Sequence, residues 1–283
     1  MELWKSPQTK QLIRRTIAED RARQDATTKA LIRGTQKGKA SVVVKATGIL
    51  AGAAMLKQVF LEVDPTLQVT LNIPDGTAVK PGDVVAVIRG RISSMLKAER
   101  VALNFIQHLS GIASSTASYV HAVKGLKTQI MDTRKTTPGL RALEKYAVRA
   151  GGGKNHRMSL ADGILIKDNH IAALRSEGLS INDIVAKTRR KSSPGLTLEI
   201  EAKTPDEAAQ AAESGATIIL LDNMNPEQIR EAVRLIGGRA LTEASGGITL
   251  ENVRAIAETG VDRVSIGALT HSPKALDISL ELE

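Results

Sequence analysis

Charged residues recur at the ends of short apolar segments in the second half of the sequence. The cationic ones are Arg134, Lys135, His156, Arg157 and Lys167, and the acidic ones are Glu201 and Asp222. Arginine binds carboxylates and phosphates through paired N–H donors, and lysine adds a point charge. The cations therefore indicate a ligand with more than one negative group. The two acids indicate Mg²⁺ beside a phosphate, because carboxylate and phosphate oxygens are ligands that Mg²⁺ prefers.

Two glycine turns follow the last apolar segments of this region. The first contains Ser245, Gly246 and Gly247, and the second contains Gly267 and Ala268. Glycine has no Cβ, so the backbone N–H groups of such turns can approach a phosphate closely. We therefore predict that the two turns bind a phosphate group.

The roles of Glu199 and Glu243 stay open in the sequence. Glu199 faces the same side of a strand as Glu201, because the two are separated by one residue. It either belongs to the site or only supports a neighbouring cation, and the same alternatives hold for Glu243. His271 has no partner pattern, so we interpret it as a structural or surface histidine.

The elements that position these residues alternate between strands and helices from about residue 126 to residue 269. Apolar segments predict strands at 128–131, 163–166, 196–200, 217–221, 239–242 and 263–266. Thr204 and Asn225, each followed by proline, have the form of helix N-caps. Such alternation is typical of parallel strands joined by crossover helices. Polar residues at every strand end favour a barrel with one shared mouth, and an open doubly wound sheet is the alternative.

The part of the chain before about residue 107 has a mixed pattern. Apolar spacing predicts a helix at 8–20, strands at 40–45, 67–73 and 84–88, and a long helix at 93–109. The change of pattern after this helix predicts a second domain.

Composition limits the class of protein. The 283 residues include no cysteine, which excludes disulfides and cysteine-based metal sites or nucleophiles. The formal charge of +9 fits anionic ligands, whereas an aromatic content of 2% disfavours a protein that stacks single-stranded nucleic acid. Neither a signal peptide nor a membrane-spanning segment is recognisable, so we expect a cytoplasmic protein with no membrane partner.

Segments along nearly the whole chain together resemble the quinolinate phosphoribosyltransferases (nicotinate-nucleotide pyrophosphorylase, carboxylating). These segments are residues 99–104, 109–112, 132–141, 151–157, 166–171, 199–201, 221–224, 244–247 and 265–267. Two departures from the family lie outside the predicted site. Gln24 stands where family members commonly have glycine, and Lys45-Ala46-Thr47 lacks an acidic residue that often precedes the next glycine.

The resemblance implies a fold and an activity. The fold is an N-terminal α/β sandwich-like domain at 1–108 and an incomplete parallel α/β barrel, TIM-like with about six strands, at 109–270. The tail, residues 271–283, is expected to pack on the first domain. The implied enzyme transfers phosphoribosyl from phosphoribosyl pyrophosphate to quinolinate with decarboxylation. Its products are nicotinate mononucleotide, CO₂ and pyrophosphate, in the biosynthesis of NAD.

The resemblance also implies a role for each site residue. Quinolinate is expected to contact Arg100, Arg134, His156, Arg157 and Lys167, with Arg100 supplied by the partner chain of a homodimer. Phosphoribosyl pyrophosphate is expected to contact Lys135, Glu201, Asp222, Ser245, Gly246, Gly247, Gly267 and Ala268. The implied catalytic residues are Lys135, Glu201 and Asp222. Glu201 and Asp222 are also the implied ligands of Mg²⁺, directly or indirectly.

Two other functions compete with this one. A transferase of the same fold with another acceptor would share the phosphoribosyl half of the site, but the density of cations favours a dicarboxylate. A non-catalytic protein that binds an anionic metabolite or nucleic acid is the second alternative. The two acids among the cations argue against it, and DNA binding with a steep salt dependence would support it.

Overall fold

The structure is a computed structural model that describes residues 3–283. Its α-helices are α1 (Pro7–Glu19), α2 (Ala26–Leu31), α3 (Ala53–Val63), α4 (Ile92–Ala122), α5 (Arg141–Ala150), α6 (Asp168–Arg175), α7 (Ile181–Lys191), α8 (Pro205–Glu213), α9 (Pro226–Ile236), α10 (Val253–Ala257) and α11 (Ala268–His271). Its β-strands are β1 (Lys37–Val44), β2 (Gly48–Ile49), β3 (Gln68–Leu71), β4 (Ala78–Val79), β5 (Val84–Arg91), β6 (Gln129–Met131), β7 (Ile164–Ile166), β8 (Leu198–Ala202), β9 (Ile218–Asp222), β10 (Leu241–Ser245), β11 (Arg263–Ser265) and β12 (Ile278–Leu282). Within residues 3–283, no helix has both the length and the apolar character needed to cross a membrane.

The described chain divides into two compact units. The first unit contains residues 3–117, 142–152 and 272–283, and the second contains residues 118–141 and 153–271. These limits differ from a division between residues 108 and 109, because α4 continues through that point without a break. The first unit also includes most of α5, which lies far along the sequence from α4.

The first unit is built on an antiparallel sheet with the strand order β12-β1-β5-β3. The chain end supplies an outer strand, and its register pairs Val42 with Leu280. The side chains of Val42 and Ile88 are fully buried in this sheet. The helix α3 contributes Leu56 and Phe60, which are also buried in the core of the unit. A sheet with apolar helical cover confirms the α/β fold expected for this part of the chain.

The second unit is a parallel sheet with the order β6-β11-β10-β9-β8-β7. From β7 to β11 each strand adds to the same side of the one before it, and β6 pairs with β11. This is the strand order of a barrel, whereas a doubly wound sheet reverses direction at its centre. No pairing joins β6 to β7 in the described part of the chain, so the barrel is incomplete, as predicted.

Side-chain caps fix the helices between the strands. The Thr204 side chain accepts a hydrogen bond from the Glu207 N–H at 3.2 Å. Asn225 and Gln228 form a reciprocal capping box at the start of α9. These caps lie where the sequence predicts them. Because of them, each helix begins only a few residues after the preceding strand ends. Short loops of this kind bring the strand ends close together.

A buried carboxylate joins α3, β5 and α4 in the first unit. Asp64 accepts hydrogen bonds from Arg91 Nη2 at 2.8 Å, Ser94 Oγ at 2.7 Å and Thr66 Oγ1 at 2.7 Å. Burial by itself would raise the pKa of Asp64, but the hydrogen bonds from Thr66, Ser94 and Arg91 outweigh it. They hold the pKa of this carboxyl well below its usual range.

We expect Asp64→Ala to lower the free energy of unfolding by about 2 kcal/mol, because it removes the acceptor of the buried Ser94 hydroxyl. The lowered pKa means that this stabilisation is complete above pH ~4 and is lost as the pH falls through the folded-state pKa. Urea unfolding at pH 7 and at acidic pH measures both effects. Glu62→Ala is the control, since Glu62 pairs with the exposed Arg14 and its loss should cost less than about 1 kcal/mol. Equal destabilisation by the two variants would contradict the role of Asp64.

Candidate active site

The mouth of the incomplete barrel contains a cavity of about 620 Å³, lined by residues of the second unit. It brings together these residues of the predicted site: Arg134, Lys135, His156, Arg157, Lys167, Glu201, Asp222, Ser245, Gly246, Gly247, Gly267 and Ala268. Arg100 is not among the lining residues. It is exposed on α4 in the first unit.

Alternate residues of the strands face this cavity. Leu220 and Asp222 of β9 line it, as do Glu243 and Ser245 of β10. Ala244, between the last two, is buried on the other side of the strand. Residues two apart share one face of a strand, and the strands converge at their carboxyl ends. Both strands extend further than the sequence predicts, so their polar residues belong to the strands and not to loops.

A buried aspartate places His156 and Arg157 at the mouth. After α5 the chain runs beside β6, where Lys154 N–H donates to the Ile130 carbonyl at 2.8 Å. Asp132, which is fully buried, then accepts a hydrogen bond from the His156 N–H at 2.8 Å. His156 and Arg157, which come shortly after the glycine run, are thereby held at the carboxyl end of the first barrel strand.

Two guanidinium groups form the cationic side of the cavity. Arg157 Nη1 donates to the Gly163 carbonyl at 2.8 Å. Burial, together with the nearby charge of Arg134, lowers the pKa of Arg157. The Arg134 Nε is buried and has no hydrogen-bond partner in the described part of the chain. Because an unpaired buried donor costs about 1–3 kcal/mol, this group is suited to an acceptor on a ligand.

Glu201 and Asp222 form the acidic side. Glu201 Oε2 accepts a hydrogen bond from the Asp168 N–H at 2.8 Å, and its Oε1 lies 3.7 Å from Lys167 Nζ. Asp222 is half-buried at the end of β9, in register with Ser245 of β10. The carboxylate of Asp222 thus lies between Glu201 and the glycine turn after β10. Two carboxylates beside a turn suited to phosphate fit Mg²⁺, which usually binds one or two carboxylates together with phosphate oxygens.

The turn after β10 has a constrained backbone. Gly246 and Gly247 adopt φ angles of 95° and 61°, in the left-handed region. Asn223 has φ 55°, which is unusual for a residue with a side chain. Its N–H donates to the Ser245 carbonyl at 2.8 Å, and its side chain occupies the space that a Cβ on Gly246 would need. The ends of β9 and β10 are therefore locked together.

The second glycine turn lies against Lys135. A Cβ on Gly267 would lie 3.0 Å from Lys135 Cδ and 3.2 Å from His271 Nε2. His271 is exposed, as a surface histidine is, and it also lines the cavity, which the sequence analysis does not predict. Its N–H donates to the Gly267 carbonyl at 3.3 Å. The available signal was its position four residues after a predicted phosphate glycine, because that spacing returns a helical side chain to the same face.

Glu199 and Glu243 lie beside His156. Glu199 Oε2 is 3.0 Å from His156 Nε2, and Glu243 Oε1 is 3.6 Å from the same nitrogen. Glu243 is fully buried, and neither of its oxygens has a hydrogen-bond partner among residues 3–283. Burial, with the neighbouring charge of Glu199, raises the pKa of Glu243 to about 7. Both acids thus lie at the wall of the site, beside His156, which is predicted to bind the substrate.

The fold and the cavity together define a class of protein. Cations, two acids and two glycine turns converge at the mouth of an α/β barrel. This combination is typical of a barrel enzyme that acts on phosphorylated and carboxylated substrates.

Comparison with known proteins narrows this class. Residues 25–110 match the family described as "Quinolinate phosphoribosyl transferase, N-terminal domain", and residues 112–281 match its "C-terminal domain". The chain is 44% identical over 275 residues to "Probable nicotinate-nucleotide pyrophosphorylase (carboxylating)" of Bacillus subtilis, covering 97% of this chain and 93% of that protein. The chain therefore belongs to the quinolinate phosphoribosyltransferase family.

Other relatives agree with this assignment. The "Nicotinate-nucleotide pyrophosphorylase (carboxylating)" of Mycobacterium leprae is 41% identical, with 95% of each chain covered. The crystal structure of NadC from Streptococcus pyogenes matches with a TM-score of 0.94 and 41% identity, over 100% of this chain and 99% of that one. The similarity extends over both units and confirms the predicted family and fold.

We expect Gly246→Ala to weaken binding of phosphoribosyl pyrophosphate on the order of tenfold or more, because the added Cβ would displace Asn223 and open the turn. Isothermal titration calorimetry measures the affinity. Gly178→Ala is a matched control, since Gly178 also has a left-handed φ but no atom lies within 4 Å of the added Cβ. If both variants bind the ligand equally well, the contact with Asn223 does not shape the site.

Proposed function

We propose that this protein is a quinolinate phosphoribosyltransferase (decarboxylating) that supplies nicotinate mononucleotide for NAD biosynthesis. The observation that carries this proposal is the arrangement of the barrel mouth. One cavity is lined by Arg134, Arg157 and Lys167 together with Glu201, Asp222 and the two glycine turns. Family membership over nearly the whole chain supports the same substrates.

The main obstacle to the reaction is the charge of its substrates. Two like charges about 4 Å apart repel each other by about 4 kcal/mol at an effective dielectric constant of about 20. The guanidinium groups of Arg134 and Arg157 offset this repulsion at the carboxylates of quinolinate. Lys135, between the two substrates, neutralises charge on the phosphoribosyl side. Holding both reactants in contact then lowers the barrier further, because the bimolecular encounter becomes a step within one complex.

The pyridine nitrogen attacks the anomeric carbon as pyrophosphate departs. Positive charge develops on the ribose ring, and the carboxylates of Glu201 and Asp222 stabilise it. The backbone N–H groups of Gly246 and Gly247 hold the 5′-phosphate and so orient the sugar. The 2-carboxylate of the pyridinium then leaves as CO₂, the electron pair of the broken C–C bond stays on C2 beside the positive nitrogen, and C2 takes up a proton from water. No residue has to act as a covalent nucleophile.

Glu201 and Asp222 would also hold Mg²⁺. When bound, Mg²⁺ supplies positive charge to the pyrophosphate oxygens. Asp222 is the better candidate for direct contact, because Glu201 already accepts the Asp168 N–H and lies near Lys167. Glu201 is then placed to contact the ribose hydroxyls or a water of the ion.

A homodimer completes the site in this proposal. Arg100 is exposed on α4 and does not line the cavity of its own chain. We assign it to the neighbouring site, where its guanidinium binds a carboxylate of quinolinate. A C2 dimer then contains two such sites, each with one Arg100 from the other chain.

We expect stoichiometric nicotinate mononucleotide and CO₂ when the purified protein is given quinolinate, phosphoribosyl pyrophosphate and Mg²⁺. Nicotinate is the control acceptor and should give no product, because it lacks the 2-carboxylate through which the cationic groups are proposed to hold the acceptor. Chelation of Mg²⁺ should abolish turnover. Binding of phosphoribosyl pyrophosphate without turnover of quinolinate would preserve the fold assignment and point to a different acceptor.

We expect Arg157→Ala to lose quinolinate affinity while it keeps affinity for phosphoribosyl pyrophosphate, and Arg100→Ala to behave in the same way. Mixed and re-equilibrated, the two inactive variants should recover about one quarter of the original activity, because half of the dimers are mixed and each of these has one intact site. Steady-state kinetics of the mixture measures this recovery. Mixing Arg157→Ala with Arg134→Ala is the control, because these positions belong to the same site and give no intact one. Activity that does not rise on mixing would contradict the shared site.

A further inference from the structure

A histidine and two glutamates form a nearly dry cluster in the wall of the cavity. The exposed fractions of the side chains are 12% for His156, 4% for Glu199 and 0% for Glu243. Glu199 Oε1 and both oxygens of Glu243 are buried without a hydrogen-bond partner in the described part of the chain. Carboxylate oxygens in such a place are costly unless a proton or a cation accompanies them.

Both ring nitrogens of His156 face protein atoms. Nδ1 accepts a hydrogen bond from the Arg157 backbone N–H at 2.8 Å. Nε2 lies 3.0 Å from Glu199 Oε2, which is an acceptor. A backbone N–H can only donate, so Nδ1 must present its lone pair, and Nε2 must carry the ring proton. The hydrogen bonds therefore select the neutral imidazole protonated at Nε2.

The cluster can hold its protons in three ways that have the same total charge. In the first, Glu199 and Glu243 are both ionised and His156 is an imidazolium. In the other two, one of the glutamates carries the proton and His156 is neutral. An imidazolium would direct an N–H at the Arg157 N–H, which excludes the first arrangement in the geometry described. His156 is neutral in both of the others. Of these two, a proton on Glu243 fits its complete burial, and the pKa of Glu243, raised to about 7 by burial and the charge of Glu199, agrees with it.

A metal ion is a second way to compensate the carboxylates. Potential ligand atoms of His156, Glu199 and Glu243 lie within 4.8 Å of one another. The imidazole must then offer a lone pair from Nε2 while Nδ1 carries the proton. That tautomer conflicts with the N–H of Arg157, as the imidazolium does. The geometry thus favours a proton over a metal in this cluster.

We propose that Glu199 and Glu243 are positioning residues that hold His156 as a neutral imidazole protonated at Nε2, so that this wall meets the acceptor as an uncharged ring. The carboxylates of the acceptor are then left to Arg134, Arg157 and Lys167. This role differs from the cationic contact expected for His156 from the sequence, because its nitrogens already have partners in the protein. The identity of the acceptor is taken from the proposed function, and in that respect this role rests on it.

The imidazole tautomer can be measured directly. The chain has five histidines, and long-range ¹H–¹⁵N correlation spectra of the ¹⁵N-histidine-labelled protein distinguish a protonated from an unprotonated ring nitrogen. The missing signal of His156→Asn assigns His156. We expect one protonated Nε2 and one unprotonated Nδ1 at neutral pH. Two protonated nitrogens, or protonation at Nδ1, would overturn the proposal, and neither outcome depends on turnover.

Matched variants separate positioning from packing. Glu243→Gln keeps the shape of a protonated carboxyl, so it should keep the tautomer of His156. Glu199→Ala removes the acceptor of the Nε2 proton, and it should raise the KM for quinolinate on the order of tenfold while the KM for phosphoribosyl pyrophosphate changes by less than about twofold. An equal rise in both KM values would mean a structural role only. Loss of quinolinate affinity in Glu243→Gln as large as in Glu199→Ala would show that Glu243 acts through a negative charge, and would refute the proposal.

Turnover and the tautomer of His156 in the unsubstituted protein test the two proposals separately. If quinolinate is not turned over but His156 still has the Nε2 proton alone, the proposed function fails and the positioning of the ring stands. If quinolinate is turned over and His156 is doubly protonated, the function stands and the positioning fails.

Discussion

The site depends on what covers the open edge of β6. A barrel that stops short of closure leaves a strand with unpaired backbone groups. Here the chain after α5 takes that place, with an isolated parallel bridge between Met131 and Lys154. Asp132 then receives the N–H of His156. The segment that pairs with the open edge of β6 therefore also places His156 and Arg157 at the mouth. It can do so because, within residues 3–283, no further strand of the barrel occupies that position.

Electrostatic balance is the second constraint. Arg134 and Arg157 lie close enough for the charge of one to lower the pKa of the other. Nearby anions offset the repulsion within such a pair. Glu199 and Asp162 supply negative charge from the protein, and in the proposed complex the carboxylates of the substrate reach the guanidinium groups from the cavity. A buried acid that keeps its proton, as Glu243 does in our proposal, limits the negative charge that the wall itself contributes.

Much of this arrangement was accessible from the sequence, because it depends on local patterns. The six barrel strands were predicted from short apolar runs, and the caps at Thr204 and Asn225 have a local chemical cause. The extent of the strands was less accessible. Glu243 and Ser245 are polar, and a polar residue is read as the end of a strand although a barrel lumen accepts it. The boundary between the two units was also inaccessible. It falls inside α4, which continues to Ala122, so no helix end marks it in the sequence.

The protonation of His156 belongs to a different category. It depends on the backbone N–H of Arg157 and on Glu199 and Glu243, which lie on strands far away in the sequence. The spacing of residues in the sequence therefore cannot predict it. The place of His271 at the cavity depends in the same way on the folded structure, since α11 borders that cavity.

The outer strand β12 has a consequence for synthesis of the chain. It pairs with β1, so the first sheet receives its last strand from the far end of the sequence. On the ribosome, β1 emerges early and must wait, with its edge unpaired, until the whole barrel has been made. During that interval the edge is open to strands of other nascent chains. The order of synthesis thus exposes this protein to misassembly at the sheet of the first unit.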